Sequence, residues 1–371
     1  MIASFTIPFV SRFQPIMPLI IEEFKLTYTK AGLLMTVQGI PSIIIPFFVG
    51  ILAQRFGVRY IGTIAFLWIT ISSFAIAVST SFTSVLLWRL TSGIAFACLG
   101  IVLSMTISQW FLPKNLGKAM GLRTAAIDIG SMLAYSLFSI IGIVYGWRSI
   151  FYIGAGISTV IAVLFISIIR EGPFLKKSQS MSIESIRNVM SNIEVWKICF
   201  CWFSIALSWF SWVAWSPTFW STFRNIDLAM ASFITGVGSL MEMATVFWGW
   251  LSDKLEKRRV ILSLACLSRI VILPLLALHG NPAIIMLLVI IMGLFATEVP
   301  CIMALMAETV GPDRAGIGFG ILQVFSGLSI TLGPAIIGYI QDAIGSVLIS
   351  YVCMSVFAVL ALIMTIILKT K

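Results

Sequence analysis

Six ionisable side chains interrupt the long apolar runs of this chain, and their types suit them to bind ions or carry protons inside a membrane. They are Arg12, Arg89, Asp128, Glu242, Arg269 and Glu298. An ionisable group within a bilayer is costly, and such groups usually mark substrate or ion pathways or proton relays. Counted at about 1.5 Å per residue along a helix, all of them except Arg89 lie roughly 15 Å from one membrane face. We therefore expect these groups to meet near the midplane and Arg89 to lie nearer the outer side.

The carboxylates differ in whether a base lies at their depth. Glu242 and Arg269 are on consecutive apolar runs, and we expect them to form a buried ion pair that fixes the packing. Glu298 then has no base left at its depth, and Pro300 lets its helix bend. Because an unpaired carboxylate in apolar surroundings can take up and release a proton, Glu298 is the first candidate for proton coupling, followed by Asp128 and Glu242. The alternative is a protonated Glu298 that bonds a neighbouring helix.

The composition is that of a membrane protein. Of the 371 residues, 60% are hydrophobic and only 10% are charged, whereas about a quarter of the residues in a soluble domain are charged. Apolar runs of about 20 residues recur along the chain, and each can cross a hydrocarbon core of about 30 Å as a helix. We number twelve such runs as spans 1 to 12: 2 to 21, 29 to 52, 60 to 78, 84 to 109, 118 to 141, 148 to 169, 197 to 219, 229 to 251, 260 to 278, 283 to 307, 316 to 340 and 346 to 368. A soluble globular protein is excluded.

The basic residues predict how these spans are oriented. The net charge of +10 could indicate a nucleic-acid partner. With both termini in the cytoplasm, however, 17 of the 24 Lys and Arg residues fall on the cytoplasmic side, four fall outside and three lie within spans. This distribution satisfies the positive-inside rule and requires no nucleic acid. We predict a multi-pass protein of the plasma membrane, embedded in the lipid bilayer, with cytoplasmic termini.

The two halves of the chain repeat one another. The phrase GILAQRFGVR at 50–59 recurs as GWLSDKLEKR at 249–258, an offset of 199 residues that also places Gly117 on Gly316. Parallel repeats of this kind form transporters whose site lies between the halves near the midplane. The predicted domains are an amino-terminal six-helix bundle at 1–169, a cytoplasmic linker at 170–195 and a carboxy-terminal six-helix bundle at 196–371.

The repeated phrase resembles the loop motif G-x-L-A-D-R-x-G-x-R of the major facilitator superfamily. The matching residues are Gly50, Leu52, Ala53, Arg55, Gly57 and Arg59 after span 2, with a weaker copy after span 8. Arg89 with Gly93 and the phrase Gly146-Trp147-Arg148 are also typical of that family. The resemblance implies an all-α membrane protein with twelve transmembrane helices in two parallel six-helix bundles, which works by alternating access.

The same resemblance implies a gating role for the two repeated loops. The residues concerned are Gly50, Gln54, Arg55 and Arg59 in the first half and Gly249, Asp253, Lys254 and Arg258 in the second. In the family a carboxylate of this loop contacts a helix N-terminus and a neighbouring Arg. Gln54 in its place predicts a weaker latch in the first half than Asp253 gives in the second. Gly50 is expected to let two helices approach closely.

The resemblance also places several side chains around a central cavity. In the resembled fold spans 7 and 10 line that cavity, and spans 1 and 5 are neighbours. Arg12 and Asp128 are therefore expected to pair, either as packing or as part of the site. Trp209 and Trp212 lie close together on the helical wheel of span 7, where they either contact substrate or pack.

Two substrate classes fit these residues. Arg12 and Arg89 can hold a small organic anion, such as a carboxylate, through paired hydrogen bonds. Alternatively, an apolar cavity with Trp side chains and three carboxylates could expel lipophilic cations or drugs. Gln14, Gln38 and Gln323 can hydrogen-bond either a solute or another helix. The two arginines in one half favour the anion.

The predicted function is secondary active transport of a small molecule. The chain has no phosphate-binding loop, and its loops are too short for a nucleotide-binding domain. An ion gradient or exchange must therefore drive transport, and the membrane carboxylates favour protons. An enzyme is not expected, since the chain has one His and lacks both G-x-S-x-G and H-E-x-x-H. We expect a monomer without cofactor or metal; a non-transporting sensor or a membrane enzyme is the remote alternative.

Overall fold

Residues 1–170, 172, 183–311 and 314–368 are described by the computed structural model, and within these ranges the chain is helical without a strand. Ten helices are long and apolar enough to cross a membrane, and they correspond to spans 3 to 12. Their bounds are Val58–Ala77, Phe82–Trp110, Asn115–Tyr145, Arg148–Ile168, Ile193–Arg224, Leu228–Leu255, Arg258–Leu278, Pro282–Val310, Ala315–Ile344 and Val347–Ile367.

Spans 1 and 2 are divided into shorter helical pieces. The pieces are Ile2–Thr6, Pro8–Ser11, the 3-10 turn Gln14–Ile16 and Met17–Phe24 in span 1, and Tyr28–Thr36, the 3-10 turn Val37–Gly39 and Pro41–Phe56 in span 2. Proline stands at or near the start of several pieces, because it lacks the amide hydrogen that an uninterrupted helix needs. Between two pieces Arg12 has an extended backbone, with φ −75° and ψ 113°.

The predicted fold of twelve membrane-spanning regions in two sets of six is confirmed.

Spans 8 and 10 are interrupted near their middles. Span 8 contains the 3-10 turn Glu242–Ala244, and span 10 consists of Pro282–Leu294 and Glu298–Val310. Side chains bond carbonyl groups beside these interruptions. The Trp248 indole donates to the Leu294 carbonyl at 2.6 Å, and the Thr297 hydroxyl donates to the Ile261 carbonyl at 2.8 Å. The polar side chains next to the breaks thus find hydrogen-bond partners on neighbouring helices.

Each half has an apolar core, and a third core joins the two. Phe66 and Phe165 are buried together in the first half, and Ile205 packs with Ile302 in the second. The third core combines residues of both halves, including Phe13, Tyr135, Trp212 and Trp215. The large exposed hydrophobic residues, found on almost every span, are those expected where a protein faces lipid.

The halves are packed against each other at one end of the bundle, which we call the closed end. A Cβ added to Gly32 of span 2 would lie 2.9 Å from the Pro334 carbonyl oxygen of span 11, so the two backbones touch. Asp342, near the end of span 11, accepts hydrogen bonds from the amides of Tyr28 at 2.9 Å and Thr29 at 2.7 Å. A carboxylate of the second half thereby caps the first helix of span 2 in the other half.

The opposite end, where span 1 begins, has space around its helices, and we call it the open end. A Cβ added at Gly117 or Gly121 of span 5, or at Gly316 or Gly320 of span 11, would meet no atom within 4 Å. The same is true of Gly50. Our expectation of a close helix approach at Gly50 is therefore wrong for the part of the chain that the structure describes, in which no atom lies within 4 Å of that Cβ position.

A short helix, Ile183–Met190, lies within the predicted linker. Val189 is buried, and the helix packs against spans 7 and 11. Linker residues 171 and 173–182 lie outside the described residues, so the linker limits stay predictions.

Candidate functional site

A cavity of about 200 Å³ lies between the two halves. Its lining comes from spans 1, 2 and 4 of the first half and from spans 7 and 11 of the second: Ser11, Arg12, Gln14, Met35, Gln38, Gly39, Ser42, Arg89, Phe96, Phe210, Val213, Ala214, Ile330 and Pro334. The interruptions of spans 1 and 2 reach this lining, with Arg12 and Gln14 in one and Gln38 in the other. Three of the five predicted substrate-binding residues, Arg12, Arg89 and Gln14, are therefore brought to one place.

Arg89 is buried, with only 2% of its surface exposed. Its Nε donates to the Leu34 carbonyl at 3.0 Å and its Nη2 donates to Oε1 of Gln38 at 2.9 Å. The guanidinium carbon lies 4.2 Å from the centre of the Phe13 ring, which is a cation–π distance. These partners are all uncharged, so they orient the guanidinium without neutralising it. Arg89 lines the same cavity as Arg12, and its expected depth, nearer the outer side, stays a prediction.

Gln38 positions the side chain of Arg89. Its Oε1 accepts from Arg89, while its Nε2 donates to the Ser92 hydroxyl at 3.4 Å. Both ends of the amide are engaged, which fixes the amide plane. The sequence shows that Gln38 is a polar residue within a span, but only the structure shows which partners it bonds.

Arg12 reaches across to span 5. Its Nη2 donates to the Ser131 hydroxyl at 2.9 Å, and its guanidinium carbon lies 5.6 Å from the centre of the Tyr135 ring. The expected ion pair with Asp128 is absent among the described residues. Ser131 stands one turn after Asp128 on the same helix and takes the hydrogen bond instead. Gln14 lies beside Arg12, where its Oε1 accepts from the Phe13 amide at 3.0 Å.

Arg269 pairs with Glu298, not with Glu242. Arg269 Nη2 donates to Glu298 Oε1, and the two side chains are 2% and 7% exposed. Both predictions about these residues are therefore wrong: Glu298 is not unpaired, and Glu242 is not the partner of Arg269. The cause is the interruption of span 10, which places Glu298 at the first position of a helix facing span 9. Within the part of the chain that the structure describes, Glu242 and Asp128 form no ion pair.

The two tryptophans of span 7 do not line the cavity. Trp212 is fully buried in the core that joins the halves. Trp209 stacks beside it, with ring centres 4.9 Å apart, and also lies 5.4 Å from the guanidinium carbon of Arg269. Phe210, which the sequence did not single out, lines the cavity instead. The helical wheel could group these aromatic residues but could not say which face of span 7 is covered.

In the second half, the loop predicted to gate is held by ion pairs. Arg258 donates to Asp253 at 2.9 Å and to Glu308 at 2.7 Å. A Cβ added to Gly249 would lie 3.3 Å from Pro300, so span 8 approaches span 10 closely. The Lys254 ammonium lies 5.1 Å from the ring centre of a neighbouring tryptophan.

In the first half, the loop predicted to gate has contacts of a different kind. The Nε of Arg59 donates to the Ile166 carbonyl at 2.7 Å, and the guanidinium carbon of Arg55 lies 5.3 Å from the Phe56 ring centre. Gly57, with φ of +87°, makes the turn between spans 2 and 3. The side chain of Gln54 lies outside the described residues, so the weaker latch stays a prediction.

Known proteins share this sequence pattern and fold. The sequence is 22% identical over 350 residues to the hexuronate transporter of Bacillus subtilis, covering 89% of this chain and 83% of that protein. It is also 22% identical over 340 residues to multidrug resistance protein 1 of Bacillus subtilis, covering 88% and 85%. A bacterial homologue of the human lysosomal transporter Spinster, solved in an inward-facing and unoccupied conformation, superimposes with a TM-score of 0.84 at 16% identity, covering 99% of this chain and 95% of that one.

The family follows from the extent of the sequence match. The model of the Major Facilitator Superfamily matches residues 1–245 and 243–371, which together span the chain. With twelve membrane-spanning regions in two halves and a polar cavity between them, the protein belongs to the Major Facilitator Superfamily of membrane transporters.

Proposed function

We propose that this protein is a secondary active transporter of a small organic anion, with a carboxylate as the charged group. One observation carries the proposal: two arginines, Arg12 and Arg89, line the cavity between the halves, and no Asp or Glu is among its lining residues. An arginine held by neutral partners keeps its charge, and its planar guanidinium suits a carboxylate. The hexuronate transporter named above moves a carboxylate, which supports this substrate class.

A drug or lipophilic-cation exporter is the second candidate, since multidrug resistance protein 1 also shares 22% identity with this chain. A cation in this cavity would be repelled by both arginines. The three membrane carboxylates, which could offset that repulsion, do not line the cavity. At about 200 Å³ the cavity is also smaller than the roughly 300–1,000 Å³ typical of pockets for drug-sized ligands.

Transport is proposed to occur by alternating access. The domains at 1–169 and 196–371 would rock about the cavity, with the closed end sealed while the open end admits or releases substrate. The excess of basic residues on the open-end loops assigns that end to the cytoplasm. The protein is accordingly proposed to be a plasma-membrane monomer in an inward-open state, with both termini cytoplasmic.

Protons are the proposed coupling ion, and the pairing of Glu298 changes which carboxylates are best suited to carry them. A carboxylate held by an arginine favours its charged form and is a poor proton carrier. Asp128 and Glu242 have no such partner within the described chain, and their helices, spans 5 and 8, pack together across the two halves. We therefore assign coupling to Asp128 and Glu242, with Glu298 as a packing residue.

Proteoliposomes loaded with a pH-sensitive dye test both parts of the proposal. A pool of carboxylates is added to one sample and a pool of lipophilic cations to another, for the wild type, Arg12→Gln and Asp128→Asn. Arg187→Gln is the matched control, because Arg187 is exposed on the short linker helix. We expect a pH change with carboxylates only, lost in the Arg12 and Asp128 variants but kept in the control.

The alternatives give different results. A response to the cation pool that survives Arg12→Gln would reject the organic anion. Uptake of labelled carboxylate without any pH change would leave the substrate class standing and reject proton coupling.

A further inference from the structure

The two walls of the cavity differ in chemistry. Every polar side chain of the lining comes from the first half, namely Ser11, Arg12, Gln14, Gln38, Ser42 and Arg89. The second half contributes only apolar residues: Phe210, Val213, Ala214, Ile330 and Pro334. A solute bound there therefore meets charge and hydrogen-bond donors on one side and hydrocarbon on the other.

The backbone of the apolar wall offers little replacement for polar side chains. The Pro334 carbonyl accepts from the Trp215 indole at 2.9 Å. Because Pro334 has no amide hydrogen, the Ile330 carbonyl one turn earlier lacks its helical donor. The Val213 carbonyl accepts from the Tyr135 hydroxyl at 3.3 Å. Next to Ile330, the Thr331 hydroxyl donates to the Gly327 carbonyl at 2.8 Å. Apart from the Ile330 carbonyl, these polar groups of the wall are thus engaged within the protein.

This asymmetry limits the substrate. A hydroxyl group pressed against the apolar wall would lose its water and find no side-chain partner there, which disfavours binding. An apolar group on the same side gains from leaving water. We infer that the transported molecule is a small amphipathic acid, whose carboxylate lies on Arg12 and Arg89 and whose unsubstituted hydrocarbon flank lies on Phe210, Val213 and Ile330. This inference rests on the proposed transport of an organic anion.

The inference separates two ligands that the charge alone cannot distinguish. Cyclohexanecarboxylate and galacturonate are both six-membered rings with one carboxylate, but galacturonate carries hydroxyls around its ring. An apolar pocket rejects an added hydroxyl by up to about a hundredfold. We expect the purified protein to bind cyclohexanecarboxylate roughly 10- to 100-fold more tightly, measured by isothermal titration and by the ligand-induced rise in Tm.

A near-isosteric substitution tests the wall directly. Val213→Thr places one hydroxyl on the apolar wall and should weaken cyclohexanecarboxylate binding about tenfold. Alternatively, the ratio of the affinities for cyclohexanecarboxylate and galacturonate should fall by the same factor. Val271→Thr is the matched control, since Val271 is 58% exposed on span 9 and is not a lining residue. If Val213→Thr does not fold, the wild-type comparison of the two acids still decides.

The outcomes distinguish this inference from the proposed function. Tighter binding of galacturonate, abolished by Arg12→Gln, would overturn the amphipathic substrate and keep the organic anion. If the protein binds neither acid, or if it binds both and Arg12→Gln leaves that binding unchanged, the proposed transport of an organic anion is overturned.

Discussion

Arg89 and Arg269 are equally buried, each with 2% of its surface exposed, yet their surroundings differ. Arg89 is held by a carbonyl and an amide oxygen and keeps its positive charge beside the cavity. Arg269 is held by the carboxylate of Glu298 and is not a lining residue. Burial alone therefore does not identify a binding residue: the charge of its partner decides whether a buried arginine remains available to an anion.

The repeat offset sharpens this comparison. Adding 199 to Arg89 gives Leu288, and subtracting 199 from Arg269 gives Thr70. Neither arginine has a counterpart in the other half, whereas glycines such as Gly117 and Gly316 do. The repeat thus shares the loop phrase and its bases, Arg55 with Lys254 and Arg59 with Arg258, whereas each of the two buried arginines is particular to its own half.

The largest effect is expected from Arg269→Gln. Removing one partner leaves the Glu298 carboxylate buried without its pair, which should lower the free energy of unfolding by about 3–5 kcal/mol. Thermal unfolding in detergent measures the loss. The double variant Arg269→Gln with Glu298→Gln should recover most of the stability and retain uptake. A stable double variant without uptake would show that this pair, like Arg89, takes part in transport.

The next effect is expected from Arg89→Gln. Loss of a hydrogen-bonding charge at the cavity should weaken anion binding about 10- to 150-fold, seen as a raised KM for carboxylate uptake. No additional substitution in the carboxy-terminal half should restore the wild-type KM. An unchanged KM in a correctly folded Arg89→Gln protein would show that Arg89, like Arg269, serves packing only.

A smaller effect tests the role of the neutral partner. Gln38→Glu gives Arg89 the kind of partner that Arg269 has, and we expect carboxylate KM to rise roughly tenfold because the guanidinium becomes neutralised. The fold should be kept, since the pair stays hydrogen-bonded. Gln38→Met is the control of similar size that adds no charge. An equal rise in both variants would assign the effect to lost orientation of Arg89 rather than to its charge.

The smallest effect is expected from Trp209→Phe. The Trp209 ring lies over Arg269, and a phenyl ring gives a weaker cation–π contact, so we expect stability to fall by about 0.5–1 kcal/mol with KM unchanged. Tm and KM are measured on the same variant. A shift in KM would contradict the assignment of Trp209 to packing.

The sequence predicts the twelve-span fold because long apolar runs and the repeated loop do not depend on tertiary detail. It also identifies Arg12, Arg89 and Gln14, since polar groups in a membrane are rare. It does not predict the pairing of Arg269 with Glu298, because pairing depends on which way each helix faces. The interruptions of spans 8 and 10 set those directions, and a count of 1.5 Å per residue assumes uninterrupted helices.

The cap that Asp342 provides for span 2 has a consequence for turnover. Its contacts with Tyr28 and Thr29 are polar and lie at an exposed position, where water can replace each of them when the halves separate. A helix cap of this kind contributes only about 0.5–2 kcal/mol. Such a contact favours one state without trapping it, so both arrangements of the halves can be populated within a single working cycle.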